Sequence, residues 1–433
     1  MKFETCTFNA EYPVYGARFL ENDVLLIAGG GGEGKNGIPN MLSVLEVESR
    51  SAAGAADAPS SGISLKKVNE YELESQDDSP TALDATNGTV LLGCNENSAK
   101  VESGEGNKHI RKFTYDPSSR KFALSFAEGI DFDKSTDPNE YTKVINISHD
   151  GSMAAIASST EPTKLRIINP ADMSEEYEIE SSREIKDLQF SPNGKIISYI
   201  TKDSLELIST VTGKSLSRIL DFNPNWNLSK IRFINDSSIV ISAGLIKGSG
   251  IVLIAVDFKS GKCTIAKSKL VTKKFKGITS MDVDSKGELA AISTNDNSVI
   301  LVKLNTFQMG KVFNQIHGFA ITKVTISPNS RYVASVSAAN TVHIISVPNG
   351  YALSLSISEV LYKIFTRFVI VVVLALLLQH IIENDLHTKF SKYVLDIRDK
   401  RNRTNSTKDD YFQQTTLVGN YTRAETIQEA PLD

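Results

Sequence analysis

The stretch VTISPNSRYVASVSAANTVHIISV, Val324 to Val347, is a β-branched run, a tight turn at Ser327-Pro328-Asn329-Ser330, a second apolar run and a third. Alternating β-branched residues bounded by turn formers mark antiparallel strands. The same sentence occurs seven times. Its other turns are Glu21-Asn22-Asp23, Ala85-Thr86-Asn87-Gly88, Ser148-His149-Asp150-Gly151, Ser191-Pro192-Asn193-Gly194, Asn235-Asp236-Ser237 and Asp284-Ser285-Lys286-Gly287. The last five turns recur every 43 to 49 residues, the length of one four-stranded propeller blade. The first two intervals, of about 63 residues, read as the same unit with insertions, one being the low-complexity SRSAAGAADAPSSG of Ser49 to Gly62. The expectation is an all-β, seven-bladed β-propeller over residues 1–354, with Lys2 to Phe8 completing the last blade. A β-sandwich or two smaller β domains is the alternative. With His317 ahead of it, the final unit resembles a WD-type repeat, departing from it at Ile345-Ser346, where Trp-Asp would fall.

At Ser356 the pattern changes. Ser356-Ile-Ser-Glu359 has capping-box spacing, and Ile364 to Ile382 is apolar, unbroken from Phe368 to Leu378. Nineteen residues at about 1.5 Å each span about one hydrocarbon thickness. The reading is a linker at 355–363, a single transmembrane helix at 364–382 and a short, disordered lumenal tail at 383–433. Lys363 and Arg367 upstream, against Glu383 and Asp385 downstream, place the propeller in the cytosol. The tail carries three N-glycosylation sequons, at Asn402, Asn405 and Asn420. Its end, Pro431-Leu432-Asp433, is not a KDEL-type signal. No cleavable signal peptide is expected at Met1-Lys2-Phe3-Glu4, which polar residues follow.

With 41% hydrophobic and 23% charged residues and a net charge of -4, the composition is that of a globular protein without a nucleic-acid signature. Cys6, Cys94 and Cys263 have no zinc spacing and suggest a reducing compartment. The six histidines form no paired ligand spacing, and no GxSxG occurs, so no covalent chemistry is expected. Asp77-Asp78 ahead of Ser79-Pro80 reads as a solvated strand start. Lys267, Lys269, Lys273, Lys274 and Lys276 read as a solvated edge, with anionic lipid or nucleic acid as weaker uses.

One stretch stands apart. Gly29 to Gly37, GGGGEGKNG, holds six glycines in nine residues and leads into Ile38-Pro39-Asn40. Gly29-x-Gly31-x-x-Gly34 fits the dinucleotide fingerprint, and Gly29 to Lys35 nearly fits the phosphate loop, failing at Asn36. Both need a helix directly after the loop, whereas Gly37 and Pro39 are followed by a strand. No nucleotide site is expected. Converging glycine carbonyls could instead hold a hard mono- or divalent cation, the ordered loop then projecting Ile38, Pro39 and Asn40. The alternative is a disordered insertion without a role.

AGGGGEGKNGIPN (Ala28 to Asn40), Tyr12-Pro13-Val14-Tyr15-Gly16-Ala17 and a single span after seven degenerate blades resemble a known family. It is the fungal Sec-twelve type of endoplasmic-reticulum exchange factor for the Sar-type small GTPase that starts COPII coat assembly. Asp77 to Ala82, Gly93 to Asn97, Lys276 to Asp284 and Ser335 to Asn340 share the likeness, which covers residues 1 to 382. It implies a potassium ion held by the Gly29 to Asn40 loop, with the backbone carbonyls of Gly30, Gly32 and Gly37 as ligands. It also implies Ile38, Pro39 and Asn40 as the residues acting on the GTPase, and an endoplasmic-reticulum membrane location, type II, with cycling through the Golgi membrane. Neither a nucleic-acid partner nor a small-molecule substrate is implied. Two other functions compete: a membrane-tethered scaffold or cargo adaptor without exchange activity, and a nucleic-acid-binding regulator using the lysine run.

Overall fold

The computed structural model describes residues 1–34, 36–50, 62–74, 76–116, 118–119, 122–354, 357–401 and 403. The chain divides into Met1–Ser354 and Leu355–Asp433. In the first unit every sheet has four antiparallel strands, and there are seven sheets. Their innermost strands are Val14–Phe19, Ala82–Thr86, Thr142–Ile147, Asp187–Phe190, Trp226–Asn235, Ile278–Val283 and Ile321–Ile326. Each packs beside the next, and the last packs beside the first, closing the ring. Blades 1 to 7 are named in this order. Glu4–Asn9 is the outer strand of blade 7, antiparallel to Thr341–Ser346 in the register Glu4↔Ser346 to Asn9↔Thr341. The ring therefore closes with the N-terminal strand, as the sequence suggests.

Each of the seven turns joins an innermost strand to the second strand of its blade. Three share one hydrogen-bond pattern, which accounts for their Ser-x-Asn/Asp spelling. In blade 7 the Ser327 hydroxyl donates to Asn329 Oδ1 (2.8 Å) and accepts from Tyr332 N (2.9 Å), while Arg331 N donates to Asn329 Oδ1 (3.0 Å). Ser191 and Asn193 do the same in blade 4, and Ser148 and Asp150 in blade 3. Such side chains satisfy backbone groups that a turn leaves open.

Neighbouring blades are stitched at equivalent positions. The Asp84 carboxylate accepts from Ile147 N (2.8 Å), Asn146 Oδ1 from Phe190 N (2.8 Å), Gln189 Oε1 from Phe233 N (2.7 Å) and the Asp282 carboxylate from Ile326 N (2.8 Å). Between these bonds lie apolar layers shared by adjacent blades. Val14, Leu25 and Ile27 of blade 1, for example, meet Tyr332, Val336, Val342 and Ile344 of blade 7.

In the second unit, helix Ile357–Glu383 contains a segment, Val360–Glu383, long and apolar enough to cross a membrane. The helix starts inside the expected 355–363 linker, because nothing after Ile357 opposes helix propagation until the Asn384-Asp385 turn. The expected disordered tail also needs correction: residues 386–401 are helical again. They are rich in Leu, Lys, Asp and Arg with no Gly or Pro, a composition that sustains a helix. Asn402, Asn405 and Asn420 lie outside the described residues, as does the low-complexity centre of Ser49 to Gly62.

Candidate functional site

Gly29 ends the second strand of blade 1 and pairs with Met41, the first residue of the third strand, so the glycine-rich segment closes a β-hairpin. A strand follows it, not a helix.

The loop is anchored by Asn40. This residue keeps only 1% of its surface exposed. Its Oδ1 accepts from Gly32 N (3.0 Å), and its Nδ2 donates to the carbonyls of Asp77 (2.8 Å) and Asp78 (3.3 Å) in blade 2. Asn40 thus ties the start of the loop to its end and both to the next blade. The expectation that it projects beyond the face is wrong. A carboxamide whose acceptor and two donor hydrogens are all used within the fold is more stable inside than out.

Gly30 is where this arrangement demands glycine. Its φ is +152°, and a Cβ there would sit 2.1 Å from Asn40 Oδ1. Gly32, at φ +78°, faces Ser79 and Asp78. Asn36, which breaks the phosphate-loop pattern, braces the far turn instead: its Nδ2 donates to Gly31 O (2.8 Å), and its Oδ1 accepts from Ile38 N (2.9 Å). Beyond this brace Pro39 is exposed, while Ile38 is half-buried against the apolar layer between blades 1 and 7. Of the three residues expected at the tip, one projects fully and one partly.

The bed beneath the loop comes from stretches singled out in the sequence. Pro13 O accepts from Gly30 N (2.9 Å), and Asp78 O accepts from Cys94 Sγ (3.2 Å). Asp78 N donates to Asn95 O (3.0 Å). The Glu33 carboxylate reaches across to accept from Ser98 N (2.7 Å), where a short helix, Ser98–Glu102, is capped by Asn97. Asp77 is not solvated: it is buried and forms an ion pair with Arg111 at 2.6 Å. Burial raises its carboxyl pKa, and Arg111 only partly offsets that. Sequence reading missed Arg111, although a buried-strand stretch such as Ile110–Thr114 that carries an arginine signals a hidden anion. The stretch from Lys276 to Asp284 supplies the innermost strand of blade 6, away from this bed.

Among the described residues no group of three His, Cys, Asp or Glu could hold a metal ion. The loop offers neutral donors. No hydrogen-bond donor among the described residues reaches the carbonyl oxygens of Gly30, Gly32 or Gly37, whereas Gly31 O and Gly34 O are taken by Asn36. Uncommitted carbonyls with the Asp78 carboxylate nearby suit a hard cation of low charge.

The lysine run is largely occupied within the fold. Lys267 donates to Asn305 O (3.3 Å) and lies over the Phe307 ring, Lys269 donates to Thr306 O (3.0 Å), and Lys274 donates to Asn314 Oδ1 (2.8 Å). His317 and His343 are structural, bonded to Thr341, Ser335 and Thr7.

Residues 310–346 match the family profile of the WD domain, G-beta repeat. Guanine nucleotide-exchange factor SEC12 of Candida glabrata is 47% identical over 419 residues, covering 97% of this chain and 88% of that protein. The chain belongs to the SEC12 exchange-factor family. Two proteins named putative guanine nucleotide-exchange factor SED4 are also similar. The one from Candida glabrata is 42% identical over 88% of this chain, and the one from Saccharomyces cerevisiae 37% over 94%. The chain spans only 36% and 37% of those two. In this SEC12-family chain the glycine loop is bound to its bed on blade 2 by Asn40 and Glu33.

Proposed function

We propose that this chain is a guanine-nucleotide exchange factor that releases GDP from a Sar-type small GTPase at the endoplasmic-reticulum membrane, and so starts COPII coat assembly. The observation that carries the reading is the pinned glycine loop in a chain 47% identical to a protein named as an exchange factor. A loop with so many glycines is ordered only because Asn40, Asn36 and Glu33 bind it, and that ordering lowers the entropy lost on meeting a partner.

Small GTPases hold nucleotide mainly through magnesium and the phosphate cradle. To release GDP, the factor must bind the empty GTPase more tightly than the loaded one, and by linkage it then weakens nucleotide binding by the same factor. Pro39 and the exposed part of Ile38 are the wedge. Asn40 is a positioning residue, acting through the loop it holds. A potassium ion on the carbonyls of Gly30, Gly32 and Gly37 would supply charge neutralisation and stiffness, and the protein groups fix the loop's path whatever the ion. Chemistry is confined to non-covalent exchange.

The span at Val360–Glu383, with Lys363 and Arg367 at its upstream end, supports a type II orientation with the propeller cytosolic and Asn402, Asn405 and Asn420 lumenal. Tethering raises local concentration at the membrane. The test is release of fluorescent GDP from the Sar-type GTPase by the full chain in liposomes. Acceleration that falls at least tenfold in Pro39→Gly or Ile38→Ala supports the reading. A rate equal to that of protein-free liposomes overturns it and leaves a tethered scaffold.

A further inference from the structure

The innermost strands surround a channel whose charges do not balance. Arg232 pairs with Asp187 at 2.6 Å and with Asp282 at 3.6 Å, and Arg18 pairs with Asp84 at 3.1 Å. Lys143 is satisfied by Glu184. Those pairs use every carboxylate that lines the two channel cavities. Lys230 and Lys323 are left over, and among the described residues neither has an ion pair or a side-chain hydrogen bond.

Both lysines line one cavity of about 120 Å³, together with Tyr15, Lys143, Arg232 and Thr279. Each is half-buried. Burial lowers the pKa of Lys230, and it pulls the Lys323 ammonium down to about 8, with Arg232 adding repulsion. Two unpaired ammonium groups lining one cavity are costly, and an anion shared by them removes much of that cost. Apart from Lys230 and Arg232, which lie midway along Trp226–Asn235, the cavity is built from residues at the start of the innermost strands. Because Val14 pairs with Gly29, it opens toward the face that carries the glycine loop.

We propose that this cavity is a binding site for a tetrahedral phosphate-class oxyanion, held by the ammonium groups of Lys230 and Lys323. The groups facing Lys323 are Arg18, Asp84, Lys143, Asp187, Lys230, Arg232 and Asp282, contributed by six blades. The Lys323 ammonium, with a pKa of about 8, is poised to gain a proton near that pH, so binding there takes up protons and weakens as pH rises further.

The experiment is calorimetric titration of the full chain in detergent with inorganic phosphate and with glycerol 3-phosphate, against sodium chloride at matched ionic strength. It is repeated at pH 8 in buffers of different ionisation heat. Saturable phosphate binding with proton uptake is expected, weakened at least tenfold in Lys230→Met and in Lys323→Met. Comparable binding of the monoester assigns the site to phosphate esters, and tenfold weaker binding assigns it to the free ion. Both variants lose an unpaired, half-buried charge, so their thermal midpoints without phosphate should equal or exceed the parent's. No saturable binding beyond chloride by the parent chain overturns the proposal, whatever the variants do. Parental affinity in the double variant overturns it as well.

Discussion

Asn40 uses its whole side chain in holding the loop, and that makes its replacement informative. Asn40→Ala leaves Gly32 N and the Asp77 carbonyl without their partners, and Asp78 O with only Cys94 Sγ. Each unmet buried group costs about 1–3 kcal/mol, so a lower thermal midpoint in calorimetry is expected alongside lost exchange. Pro39→Gly separates the two effects. Pro39 is exposed, and its replacement leaves the Asn40 hydrogen bonds in place. Exchange should then fall at least tenfold, while circular dichroism and the propeller's unfolding midpoint stay near the parent's. The importance of Gly29 to Asn40 was legible from composition alone, since ordered glycine needs a cause. The direction of the Asn40 amide was not. Its partners, the carbonyls of Asp77 and Asp78, lie 37 and 38 residues away in another blade, and no local pattern encodes them.

At the scale of elements, blade 7 carries the pH dependence that can be read most directly. Burial, with His343 close by, lowers the His317 pKa from 6.5 to about 4. The neutral ring bonds to Thr341 and Ser335. Between these two values the unfolded chain binds the extra proton, so stability is lost as pH falls from about 6.5 toward 4. The loss is on the order of 3 kcal/mol. Urea unfolding at pH 7 and pH 4.5 checks this, with His317→Gln expected to flatten the difference. An equal slope in both proteins would assign the acid sensitivity elsewhere. The blades were legible because their turns are spelled locally: Ser-x-Asn/Asp satisfies its own backbone within five residues. The pair Asp77–Arg111 was not, since a carboxylate beside Ser-Pro looks like any exposed strand start until the arginine from the third strand of blade 2 covers it.

Across the whole molecule, the ring closes on a strand from the opposite end of the chain. Removing residues 1–9 strips blade 7 of its outer strand, the Thr7–His343 bond and the Cys6 and Phe8 contacts to the core. Such a chain should unfold at a markedly lower temperature, with blade 7 losing amide-exchange protection before the other blades. Uniform protection in the truncated chain would contradict the role given to closure. Seven turns, the last five of them nearly evenly spaced, made the ring and its closure legible. The channel charges were not, because cations and carboxylates from seven strands meet only once the ring is formed. The exchange reading itself is tested most directly by GDP release from the Sar-type GTPase on liposomes, comparing the full chain with its Pro39→Gly variant. Fast release by the parent and release near the spontaneous rate by an equally stable variant are expected. Equal acceleration by both would show that the glycine loop is not what opens the nucleotide pocket.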